Sequence, residues 1–205
     1  MKVFIVPGYG TPENIYKDSV YKKYLSLVFK EILDFSLKYS KTRITVIFSG
    51  GNTDFNKPFK RTESVEMIKL FKKIGGKRID NWKIKKEQKS LSSLENLIYS
   101  RQIINKIKKI SGKITIFCER TRVARMRITA NKILKNVVII PVDLLTKKQL
   151  ESFSFIKEKE KAVLEYSIWA LKSRNNLKKY RKIFIDKFKI LRKAPKEKRE
   201  EVLKQ

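Results

Sequence analysis

The sequence predicts an α/β fold: a parallel five-stranded sheet with helices on both faces, strand order about 3-2-1-4-5, followed by a helical extension. Three observations carry this. Short apolar runs of strand length alternate five times with longer stretches of helical spacing over residues 1–143, the pattern of successive βα units. The first runs are continuously apolar, as in strands buried on both faces. From Thr146 onward only helical spacing remains. Right-handed crossovers then favour a doubly wound, Rossmann-like three-layer α/β/α arrangement. The domain expectation is one α/β unit over 1–145 and a basic helical extension over 146–205, packed on it.

The first strand is read at 3–6 and ends at Pro7-Gly8-Tyr9-Gly10. Glu13 stands where a dinucleotide fingerprint needs its third glycine, so this is read as a tight turn. Residues 16–39 have helical spacing, and 43–48 are the second strand, closed by Ser49-Gly50-Gly51. Paired glycines there let a backbone approach closely or turn the chain. Thr62 is a suitable N-cap for a helix that Gly75-Gly76 stops. Residues 82–86 are the third strand. Ser92 and Glu95 have capping-box spacing, opening a helix expected to reach about Ile110. A fourth strand at 114–118, a helix from about Ala124 to Leu134 and a fifth strand at 137–140, ended by Pro141, complete the unit. Helices are expected over 147–172 and 176–193, then a charged tail.

Fifty Lys and Arg face twenty Asp and Glu, a net charge of +30. Either an anionic partner or AT-rich codon usage accounts for this. Lys, Ile, Asn, Phe and Tyr are all abundant, and Lys is spread along the chain, which favours the second reading for the bulk of the charge. Binding to nucleic acid is accordingly expected to be weak and non-specific. The absence of histidine removes Ser-His-Asp and Cys-His nucleophiles and His-based metal sites, so no metal ligand set is assigned. The single cysteine, Cys118, lies in an apolar run and reads as buried and inert. Apolar runs are of strand length, short of the roughly 18 residues of a membrane helix, so a cytoplasmic protein without a transmembrane segment is expected.

The polar residues at the carboxyl ends of the strands form the candidate site, because doubly wound sheets bind ligands there. They are Ser49, Gly50, Gly51, Glu63, Glu87, Ser90, Ser93, Glu95, Asn96, Glu119, Arg122, Arg125 and Asp143. Glu63, Glu95 and Glu87 are the candidate acid–base groups, since a buried carboxylate shifted toward neutral pH replaces histidine in that role. Arg122 and Arg125 are expected in the first turn of a helix, a place suited to an anion. Each has an ordinary reading too: Glu63 and Glu95 as first-turn or capping residues, the arginines as a solvated face or as ion-pair partners of Glu119. The expectation is one cleft holding Glu63, Ser90, Ser93, Glu95, Asn96, Arg122 and Arg125, floored by residues 49–51.

The order Ser49-Gly50-Gly51, Glu63, Glu87-x-x-Ser90, Ser93-x-Glu95-Asn96 and Arg125 resembles the YdcF-like (SanA/ElyC-like) family, a domain of unknown function. That family has Ser-Gly-Gly after a strand, Ser-Glu-Ala opening a helix, Glu-x-x-Ser-x-Asn-Thr-x-Glu-Asn, and Thr-Ser-x-x-His-x-x-Arg-Ala after a later strand. The resemblance covers about residues 3–142. It implies a Rossmann-like fold and a suspected enzyme and supplies no settled substrate; the expectation taken from the site is a small anionic or nucleotide-like ligand, S-adenosylmethionine among the candidates, in a hydrolase or transferase. Here the family's Asn-Thr is Ser92-Ser93, its Thr-Ser is Cys118-Glu119, and its histidine falls at Arg122, which replaces a proton shuttle by a permanent cation. The alternative is a basic binding module whose C-terminal helices engage RNA or an acidic membrane surface, with Trp169, Tyr180, Phe184 and Phe188 available to stack on bases.

Overall fold

A computed structural model describes residues 1–107, 109–144, 153–195 and 199. Five strands form one parallel sheet in the order β3-β2-β1-β4-β5: β1 (Lys2–Pro7), β2 (Ile44–Ser49), β3 (Lys83–Glu87), β4 (Ile114–Glu119) and β5 (Val137–Val142). Helices α1 (Ser19–Lys38), α2 (Glu63–Gly75), α3 (Ser93–Ile104) and α4 (Val123–Ile133) connect them. The fold is the Rossmann-like three-layer arrangement expected from the sequence.

Strand alternation sorts the core into two layers. Phe4, Val6, Val46 and Phe48 face α1 and α2, with Tyr24, Leu25, Phe71 and Trp82 between. Val3, Ile5, Ile47 and Ile116 face the other way, onto Leu94 and Leu97 of α3 and Met126 and Ala130 of α4. Trp82 therefore belongs to the α1–α2 core, and β3 starts one residue after it. β3 is an edge strand, and its sequence Lys-Ile-Lys-Lys-Glu suits an edge by discouraging further pairing.

The ends of the elements follow local chemistry. The Asp18 carboxylate caps α1 by accepting the Tyr21 N–H at 2.8 Å, and Gly76, at φ +53°, takes up the positive dihedral that ends α2. Several expected boundaries differ: α1 starts at Ser19 where residue 16 was expected. α3 stops at Ile104, not Ile110: Asn105 still bonds back to Arg101, but the Lys106 and Ile107 N–H groups reach only three residues back, to Ile103 and Ile104, and the helix tightens and ends. β5 continues through Pro141 to Val142; as the other edge strand it tolerates a residue lacking an N–H.

Two more helices, α5 (Phe153–Leu171) and α6 (Arg174–Lys193), form the extension; Ser173 caps α6 through the Asn176 N–H at 3.0 Å. They pack on the α3–α4 side, burying Ala170 and Tyr180 in that layer. The expected start at 147 and the charged tail after Pro195 fall largely outside the described residues. Among the described residues no helix is long and apolar enough to cross a membrane.

Candidate functional site

Strand register sets the first part of the site. Ser49 pairs with Glu87 across β2 and β3, and Ser49 shares the face of Ile47, so its hydroxyl points toward α3. The Glu87 carboxylate accepts from the Ser49 hydroxyl at 2.7 Å, the Ser90 hydroxyl at 2.5 Å, the Ser90 N–H at 3.0 Å and the Lys89 N–H at 2.5 Å. The carbonyl and side-chain oxygens of Asn96 both lie 3.2 Å from the Ser49 hydroxyl. Ser49, Glu87, Ser90 and Asn96 are all buried. With four donors already on it, Glu87 braces the turn after β3 and has little capacity left for a reacting group.

Gly50 and Gly51 hold this turn against α2. The Gly51 N–H donates to the Ser90 carbonyl at 2.8 Å, and a Cβ on Gly51 would collide with that oxygen. The Gly50 and Gly51 carbonyls accept the first N–H groups of α2, from Ser64 and Glu63, each at 3.0 Å. The amino end of α2 is thus used inside the protein.

The helical extension takes up the next group. Ser92 caps α3 by accepting the Glu95 N–H at 3.2 Å, but Glu95 departs from the expected capping box. Its carboxylate accepts the Leu91 N–H at 2.7 Å and the Arg181 guanidinium of α6 at 2.7 Å. Arg181 also reaches the Tyr99 hydroxyl and the Lys89 carbonyl, each at 3.0 Å. Arg125, expected to hold an anion, is buried and paired with Glu160 of α5 at 2.6 Å. Arg192 of α6 donates to the Asn52 and Asp54 carbonyls, both at 3.0 Å. The extension supplies these partners from far along the chain, which is why local spacing did not show them. The Glu119 carboxylate accepts the N–H and hydroxyl of Thr121, filling the start of the Arg120–Arg122 turn with the protein's own anion. Asp143 pairs with Arg120 in solvent. Ser93 is half-buried in the first turn of α3.

One group stays chemically open. Glu63, the first residue of α2, lies over the β1 and β2 turns, where a Cβ on either Gly8 or Gly50 would collide with its carboxylate. Its Oε1 accepts the Gly10 N–H at 3.0 Å and the Thr53 hydroxyl at 2.5 Å. Burial pushes its pKa up to about 7; the Thr53 and Gly10 bonds oppose this, Glu87 adds to it, and Arg122 opposes it least. The Arg122 guanidinium sits 5.0 Å above the Tyr9 ring. Among the described residues it makes no ion pair or hydrogen bond. The Tyr9 hydroxyl accepts the Glu119 N–H at 2.7 Å, which ties the β1 turn to the end of β4.

Tyr9 and Arg122 stand where the strand order reverses, between β1 and β4, the crevice in which such sheets bind ligands, and Glu63 lies beside it over the β1 and β2 turns. Gly10, at φ +105°, faces open space, since a Cβ there would meet nothing within 4 Å. A shallow hollow lined by Glu13, Asn14, Lys17 and Asp18 follows in the same loop. Another, lined by residues such as Ile104, Ile114 and Leu134, lies at the amino edge, remote from these groups. The expected single cleft is therefore divided. Ser49, Glu87, Ser90 and Asn96 form a closed brace, Glu95 and Arg125 anchor the extension, and Glu63 and Arg122 remain at the crevice. Tyr9, Gly10 and Thr53 join them; the glycine turn was visible in the sequence, whereas nothing in the local pattern marked Thr53.

Cys118 is buried and its thiol pKa is pushed up to about 12, chiefly by burial, as expected of an inert cysteine. The aromatic residues of the extension pack inward: Trp169 stacks on Tyr166, Phe184 meets Tyr180, and Phe188 meets Phe55. Among the described residues no cluster of three or more acidic or Cys side chains is placed to hold a metal. No protein-family model, curated protein or solved structure matches this chain.

Proposed function

We propose that the crevice between β1 and β4 binds a small anionic ligand, nucleotide-like in carrying a phosphate or carboxylate beside a hydroxyl or amine. Glu63 is its acid–base group, for hydrolysis or group transfer, in a chain of the YdcF-like type. The observations that carry this are a buried carboxyl with a pKa of about 7 beside the topological switch point and, at that point, a cation that among the described residues has no ion-pair partner. A carboxyl titrating near neutral pH is half protonated under working conditions and both takes up and releases protons readily. Arg122 supplies charge for the anion, and Tyr9 beneath it holds the guanidinium in place by a cation–π contact. Gly10 leaves the approach open. The basic-module alternative draws no support from the aromatic side chains, which are used in packing.

Calorimetric titration with inorganic phosphate, adenosine monophosphate and S-adenosylmethionine tests this reading. At least one should bind the parent chain. Arg122→Ala should weaken that binding by about 1.5–3 kcal/mol, and Arg122→Lys should restore part of it. Failure of all three to bind, or binding indifferent to Arg122 and to Glu63→Gln, would overturn it.

A further inference from the structure

The outer face of α6 is the least explained surface of the molecule. The helix holds nine Lys or Arg and a single acid, Asp186. Its inner face is committed: Tyr180 and Leu191 are buried, and Arg181 and Arg192 bond the loops after β3 and β2. On the outer face Lys179, Lys182, Lys189 and Lys193 are exposed. Beside them lie Ile183 and Ile190, 49% and 56% exposed and two helical turns apart, hence on one stripe. Lys187 adds charge at the flank, where burial and then Lys159 of α5 lower its pKa. Asp186, between the two isoleucines on the same stripe, is offset by Lys189 at 3.7 Å, so the face stays net basic through Lys179, Lys182 and Lys193. Two large aliphatic side chains in water, edged by lysines, suit a helix that lies in a bilayer interface.

We infer that this face of α6 docks the protein on an anionic lipid surface, with Ile183 and Ile190 entering the acyl boundary and the lysines meeting the headgroups. Charge complementarity selects an anionic partner. The isoleucines select lipid over nucleic acid, because a phosphate backbone offers no apolar phase for them to enter. The helix separates the bilayer from the sheet edge by its own diameter, about 10 Å, so docking leaves the inward contacts of Arg181 and Arg192 in place.

Vesicle flotation on the full chain tests this, comparing phosphatidylcholine alone with phosphatidylcholine containing phosphatidylserine. The parent should partition about tenfold or more in favour of the anionic vesicles, and less as salt is raised. Ile183→Ser with Ile190→Ser should cut that partitioning about tenfold or more, as should Lys182→Glu with Lys189→Glu. All four positions are exposed, so the fold should be untouched, which circular dichroism and unchanged melting temperature would verify. Equal binding to both vesicle types, or to neither, overturns the inference. So does full binding by the double-serine variant, or binding to a random-sequence RNA duplex in the absence of binding to vesicles.

Discussion

At the scale of one residue, Glu63 makes folding depend on pH in an unusual direction. Its carboxyl titrates near 4.5 when unfolded and near about 7 when folded. Between those values the folded chain keeps a proton that the unfolded chain has released, so stability falls as pH rises through that window. The contribution is fully present below the unfolded value and lost above the folded one, a change of about 3 kcal/mol. Glutamine at this position keeps an acceptor oxygen for the Gly10 N–H and the Thr53 hydroxyl but cannot ionise. Thermal unfolding of Glu63→Gln and the parent should therefore diverge with pH, the variant gaining on the parent from about pH 5 to about pH 8. A constant difference between them would show that Glu63 is not held near neutrality. A buried acid that lowers stability at neutral pH is the kind of cost a functional site carries.

At the scale of elements, α5 and α6 complete the carboxyl edge instead of merely lying beside it. Two ion pairs run in opposite senses across the seam: Glu95 of the sheet unit to Arg181, and Arg125 of the sheet unit to Glu160. Arg125 and Glu160 are 5% and 17% exposed, so breaking that pair strands a buried charge. Arg125→Ala should cost about 2–4 kcal/mol in urea unfolding and leave phosphate affinity unchanged. Arg181→Ala leaves Glu95, 2% exposed, without its cation, and should cost a similar amount, about 2–4 kcal/mol. Unchanged stability, or lost ligand affinity, with Arg125→Ala would return Arg125 to the binding site.

These pairs also mark how far the sequence was readable. Strand order and the Ser92 cap were legible because apolar periodicity and capping are local, whereas Thr62 makes no side-chain cap bond and the Asp18 and Ser173 caps went unread. The gathering of the βα turns at one edge was legible too, since a doubly wound sheet brings them together. The division of labour among the acids and arginines was not. Arg122 and Arg125 look alike in sequence, yet Arg125 meets Glu160 of the extension and Arg122 lies over the Tyr9 ring. Glu63 and Glu87 likewise differ in how many donors converge on them, which depends on register and on contacts distant in sequence. Pro141 misplaced the end of β5 because an edge position is a property of the sheet, not of the residue.

At the scale of the molecule, the +30 charge is distributed unevenly in its use. Arginine is largely spent internally, on Asp54, Asp143, Glu160, Glu95 and backbone carbonyls. Lysine is left mainly on the surface, where it sets a positive field that attracts anions generally and selects none. On the proposed reading, selectivity for a small ligand comes from the crevice, where Arg122 and the near-neutral carboxyl of Glu63 lie at neighbouring turns. The direct test is a carbon-13 NMR titration of carboxyl-labelled glutamate, run with and without inorganic phosphate, on the parent and on Arg122→Ala. One glutamate should titrate at about pH 7, disappear in Glu63→Gln, and move on addition of phosphate only when Arg122 is present. If every glutamate titrates in the ordinary carboxyl range, or phosphate leaves that signal unmoved in the parent, the crevice is not the site described here.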